Sequence, residues 1–75
     1  ELDVDKILDS VVEAYSHEEI TTIDGVKIDF DTSWVHLRKS NTEPIIRIYT
    51  EATTQQKADD LADKFIAELK AIALV

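Results

Sequence analysis

The chain has no cysteine and no methionine, and only one glycine, one proline and one tryptophan among 75 residues. Without cysteine there is no disulfide and no thiolate metal site, a composition that suits the cytoplasm. No apolar run approaches the ~20 residues a membrane span needs. No basic segment followed by an apolar one opens the chain, so no signal peptide is expected. Cations are also scarce: 8 lysines and arginines stand against 16 aspartates and glutamates, a formal charge of −8. A field of that sign repels nucleic acid and anionic lipid, and it excludes both as partners. Most of the carboxylates read as a solvated helix surface.

The hydrophobic fraction is 44%, enough for one small core. A single domain covering residues 1–75 is expected, of a size that buries only about 60% of its unfolded surface. Residues 3–15 carry Val4, Ile7, Leu8, Val11, Val12 and Tyr15 at helical spacing. Asp3 is the candidate N-cap, and Asp5 sits in the first turn, where the helix dipole favours an anion. From Glu18 to Ala52 the period changes to two. EEITTI leads to Asp24-Gly25, a strong short hairpin signal, and then to VKIDF. Asp31-Thr32-Ser33 marks a second turn, followed by WVHLR and, after Pro44, by IIRIYTEA.

Alternation puts Val35, Leu37, Ile46 and Ile48 on one face of the sheet. The other face receives Trp34, His36, Arg38, Arg47 and Tyr49. A last helix begins near Thr53, where Thr53 and Gln56 fit a capping box. Its stripe runs through Ala58, Leu61, Ala62, Phe65, Ile66, Leu69, Ile72 and Ala73. The fold class is therefore α+β: a four-stranded antiparallel sheet with two helices on one face. The other face is left either wet or as a docking surface for a partner, and periodicity does not separate the two.

The few cations are not spread evenly. Arg38, Lys39 and Arg47 fall within one hairpin, and Arg38 and Arg47 are the only arginines. Between them lies RKSNTEP, residues 38–44. A guanidinium fork matches two phosphate oxygens, and Ser40 and Thr42 add hydroxyl donors. Asn41 tolerates the left-handed backbone conformation that lets N–H groups converge into an anion-binding nest. Pro44 restarts the extended chain. Glu43 does not fit an anion site and is expected to turn away or to pair with a cation. The plain alternative is a polar hairpin turn built of residues that favour turns for local reasons. His17 and His36 stand without a nucleophile or ligand partner, so no catalytic and no metal-binding residue is assigned.

RKSNTEP followed by IIRIYTEA resembles the phosphate-binding loop of the α-D-phosphohexomutases, in which Arg38, Ser40, Asn41, Thr42 and Pro44 match the loop pattern and Glu51 the strand end. The likeness runs back through DGVKIDFDTSWVHLR and covers residues 18–72. It implies the C-terminal domain of a four-domain enzyme, with a fold described as TATA-box-binding-protein-like. It also implies phosphate binding by Arg38, Ser40, Asn41 and Thr42, with Lys39 and Arg47 as accessory cations. The implied enzyme is a cytoplasmic phosphomannomutase/phosphoglucomutase that interconverts hexose 1-phosphate and hexose 6-phosphate. A phosphoserine and Mg2+ would lie in its other domains, so no cofactor is expected in this chain. The implied partners are a phosphosugar and the other domains of the same polypeptide. Phosphoglucosamine mutase is the neighbouring alternative, although that branch usually has glycine at the position of Asn41. A reading of another class is a stand-alone interaction module, which would use the bare sheet face and is consistent with the cap signals at both helices.

Overall fold

A computed structural model describes residues 3–43 and 45–73, so Pro44 and its expected role lie outside the described residues. The order is α1 (Val4–Ala14), β1 (Glu19–Thr21), β2 (Val26–Asp29), β3 (Trp34–Lys39), β4 (Ile46–Glu51) and α2 (Gln55–Ala73). Consecutive strands pair antiparallel in the order β1-β2-β3-β4. Asp3 caps α1 as its spacing predicts, accepting from the Lys6 N–H at 3.1 Å.

The two faces of the sheet divide as alternation requires. Val26 and Ile28 of β2 and Val35 and Leu37 of β3 are buried, and they join Val4, Leu8 and Val11 of α1 and Phe65 of α2 in one core. Ile48 stands opposite Leu37, and Thr50 opposite Val35. The Thr50 hydroxyl donates to the Ala58 carbonyl at 2.8 Å and ties β4 to the first turns of α2. On the other face Trp34 is half-buried, as the predicted register requires. Its indole lies 5.1 Å from the Lys27 ammonium and donates to Glu51 at 3.4 Å.

Three details depart from the sequence reading. First, the β1–β2 connection is longer than a two-residue turn, because the last paired residues are Thr21 and Lys27. Within this connection only Gly25 has a positive φ, +72°, whereas the tight turn favoured for Asp-Gly needs two such residues. Second, Thr54 and not Thr53 caps α2: its hydroxyl accepts from the Lys57 N–H at 3.1 Å. The Gln56 amide donates to Asp60 at 2.9 Å, so there is no capping box with Thr53. Third, the stripe of α2 is not covered along its whole length. Phe65 is buried, but Ile66 is 39% exposed and borders an apolar groove with Val4, Ile7, Ile45 and Leu69.

Tyr15 closes the core at the end of α1. Its ring packs against Phe65, with centroids 5.2 Å apart, and meets Phe30 edge-on at 6.2 Å. Its hydroxyl donates to Glu68 at 2.6 Å. Burial raises the phenol pKa well above its ordinary 10.0, helped by the hydrogen bond to Glu68 and by the charges of Glu68 and Glu18.

Two stability outcomes follow. Thr54→Ala should cost about 1 kcal/mol in urea unfolding, and Thr53→Ala should stay within about 0.5 kcal/mol. The reverse order would return the cap to Thr53. The second concerns pH. The folded state holds the Tyr15 proton more tightly than the unfolded state does, so this contribution is complete below pH 10 and is lost as the pH rises above it. Tyr15→Phe should remove part of the alkaline loss seen in melting temperature between neutral pH and the region above pH 10. An unchanged alkaline slope would show that Tyr15 does not contribute.

Candidate functional site: an anion-binding concavity at the β3–β4 hairpin

The register of β3 and β4 brings the two arginines together. Arg38 stands directly opposite Arg47, on the face away from the helices. Like charges facing each other across a ladder repel, so this pair destabilises the empty sheet. The hairpin carries Arg38, Lys39, Ser40, Asn41 and Thr42 round to Arg47 and Tyr49, and all seven line one concavity of about 270 Å³. Arg38, Ser40, Asn41 and Thr42 are thus gathered at one place, with Lys39 and Arg47 beside them. Glu43 is exposed and is not among the lining residues.

The loop backbone departs from the expected nest. Among the described residues no position other than Gly25 has a positive φ, so Asn41 is not left-handed. The Ser40 N–H closes the hairpin by donating to the Ile45 carbonyl at 3.1 Å. The Thr42 N–H reaches the Ser40 hydroxyl at a long 3.4 Å. The side-chain donors available to an anion here are two guanidinium forks, two hydroxyls and an amide.

The cations differ in their engagements. Lys39 faces the helix side of the sheet, opposite Ile46, and its ammonium meets both oxygens of Asp5 at 3.1 and 3.3 Å. It anchors the loop to the first turn of α1, and this weakens its claim as an accessory ligand. Arg38 contacts Asp24 at 3.2 Å. Among the described residues Arg47 has no carboxylate within ion-pair distance.

The sequence reading did not place Tyr49 or Asp24 at this site. Tyr49 was legible in principle, since it lies two residues from Arg47 on the same face of the same strand. Asp24 was not, because its approach depends on how the β1–β2 connection folds onto β3. His36, also on this face, bonds the Asp24 carbonyl and lies 6.3 Å from the Tyr49 ring. Among the described residues no three histidine, aspartate or glutamate side chains converge as metal ligands. Among the described residues no helix is long and apolar enough to cross a membrane.

Comparison with known proteins gives the same loop a context. The family described as phosphoglucomutase/phosphomannomutase, C-terminal domain, matches residues 2–68. A probable phosphoglucosamine mutase of Pyrococcus horikoshii is 44% identical over 61 residues, covering 81% of this chain and 14% of the relative. A phosphoglucosamine/phosphogalactosamine mutase of Sulfurisphaera tokodaii is 44% identical over 71 residues, covering 92% of this chain and 15% of the relative. A phosphomannomutase/phosphoglucomutase of Pseudomonas syringae pv. tomato is 38% identical over 70 residues, covering 85% of this chain and 15% of the relative. The chain thus spans about one seventh of the length of these relatives. The family description fits almost the whole sequence, and the chain belongs to the phosphoglucomutase/phosphomannomutase C-terminal domain family.

Proposed function

We propose that residues 1–75 are the C-terminal, phosphate-gripping domain of a longer phosphohexomutase that interconverts hexose 1-phosphate and hexose 6-phosphate. The observation that carries this reading is the pair Arg38 and Arg47, facing each other at the mouth of a concavity ringed by Ser40, Asn41 and Thr42. Two like charges held together on an acidic protein call for an anion. A phosphate dianion would relieve their repulsion and accept from both forks.

Arg38, Ser40, Asn41 and Thr42 hold the phosphate that is not reacting, and Arg47 supplements them. That grip orients the far hydroxyl of the sugar toward the phosphoryl donor. Remote binding energy is thereby converted into alignment at the reacting centre. The donor is a phosphoserine in another part of the polypeptide. Mg2+ would also be held elsewhere in the polypeptide. The sugar must bind in two orientations, so the loop must recognise the dianion and not the ring. For that reason this domain does not choose among glucose, mannose and glucosamine phosphates, and relatives with both kinds of name carry it. The working location is the cytoplasm, and the partners are the phosphosugar and the remaining domains of the same chain.

Two tests are direct. Inorganic phosphate or glucose 6-phosphate titrated into the chain should shift backbone amide resonances centred on residues 38–43. The shifts should fade at high salt, vanish in Arg38→Ala, and weaken in Arg38→Lys, which keeps the charge and loses the fork. Shifts centred on Lys64 and Lys70 of α2 would show that phosphate binds elsewhere and that RKSNTEP is only a turn. Separately, the chain incubated with a hexose 1-phosphate, a bisphosphorylated hexose and Mg2+ should form no isomer above a buffer control. Turnover would refute the assignment of the phosphoserine to another domain.

A further inference from the structure

The Asp24-Gly25 turn is built onto the site and is more than a connection between β1 and β2. Gly25 is pressed against β3: a Cβ there would lie 2.3 Å from the Leu37 carbonyl oxygen and 3.2 Å from the Arg38 Cα. Its φ of +72° is one that other residues rarely adopt. The His36 imidazole holds the neighbouring Asp24 carbonyl. These two constraints fix the backbone of the turn beside Arg38. From there the Asp24 carboxylate meets the Arg38 guanidinium, with Nη2 and Oδ2 3.2 Å apart.

We propose that Asp24 limits the affinity of the anion site, its carboxylate competing with the bound phosphate for Arg38. The inference rests on the phosphate reading above. When the site is empty, Asp24 offsets the repulsion between Arg38 and Arg47. When phosphate arrives, Asp24 becomes a fixed negative charge close to a dianion. The alternative role is to position Arg38, but the contact is a poor clamp. It is a single N···O pair, the Arg38 side chain is 47% exposed and that of Asp24 66%, so it constrains the guanidinium weakly. The charge of Asp24 acts at the site whether or not the contact is made. Its net effect is therefore to weaken phosphate binding. A loop that grips either of two phosphates in turn needs such a limit, because release slows as the grip tightens.

The test is Asp24→Asn in the 75-residue chain, with inorganic phosphate as the probe and amide shifts as the readout. Residue 24 is exposed and not at a positive φ, and Asn differs from Asp only by an amide in place of the carboxylate, so the connection should survive. Asp24→Ser removes the same charge and serves as a second variant should Asp24→Asn fail to fold. Phosphate should bind about three- to tenfold more tightly to either variant at low salt, and the gain should shrink at high salt. Asp24→Glu, which keeps the charge, should show no gain, and adding Arg38→Ala to Asp24→Asn should abolish it. Unchanged or weaker binding in the Asn and Ser variants would overturn the proposal, and weaker binding would make Asp24 a positioning residue. If wild type responds to phosphate at the loop and loses the response in Arg38→Ala while the Asp24 variants stay flat, this inference alone fails. If no form responds at residues 38–43, the phosphate reading fails and takes this inference with it.

Discussion

Leu37 faces Ile48 across the β3–β4 ladder, and one step further Arg38 faces Arg47. The two pairs point to opposite sides of the sheet, so a single register sets both the core and the site. A slip of β3 by one residue would turn Arg38 under the helices and expose Val35 and Leu37, which are now fully buried. Burying an unpaired guanidinium costs far more than the repulsion between Arg38 and Arg47 in water. Packing beneath the sheet therefore holds in place a charge arrangement above it that would not form on its own. Phe65 matters to the loop for this reason, although it lies on the opposite side: it fills the space against which Val35 and Leu37 are fixed.

A domain this small has little stability to spare, and its parts are correspondingly local. The β2–β3 turn is closed by the Phe30 N–H donating to the Ser33 carbonyl at 2.8 Å. The β3–β4 hairpin is closed by Ser40 and Ile45, and Lys39 pins it to Asp5 on α1. Both ties to the loop are made by residues that themselves line the concavity, Ser40 and Lys39. The loop is thereby held from the strand side and from the helix side.

Much of this was legible because alternation is a strong signal when one face is buried. Val35 and Leu37 with Ile46 and Ile48, against Trp34, His36, Arg38, Arg47 and Tyr49, followed from a period of two alone. The misses have separate physical causes. Thr53 and Thr54 carry the same hydroxyl, and which one caps α2 depends on where the first helical bond closes, here from Ala58 to Thr54 at 3.0 Å. Asn41 is able to be left-handed, but ability is not necessity: the hairpin closes through Ser40 without it. Ile66 has the right spacing for the core, yet it borders the apolar groove beside Val4, Ile7 and Ile45 and stays partly exposed. The contacts Lys39–Asp5 and Arg38–Asp24 join groups distant in sequence, and no local pattern announces them. The clustering of cations in RKSNTEP was visible, whereas the way each cation is balanced was not.

That balance follows rows across the open face. Glu19, Asp29, Trp34 and Glu51 stand in register as one row, and Arg38 and Arg47 form another at the loop end. Along β3 the rows are four residues apart, roughly 13 Å at the rise of an extended strand. This exceeds the Debye length of about 8 Å at physiological ionic strength. The acidic row is therefore largely screened from the arginines, and Lys27, bound to Asp29 at 3.3 Å, offsets part of it further. An anion nearing this face meets repulsion at one end and attraction at the other, although the chain as a whole carries −8. Net charge thus describes this face poorly, and separation along the strand describes it better. The exception is the carboxylate within reach of Arg38, that of Asp24, which the fold brings to the basic end of the face.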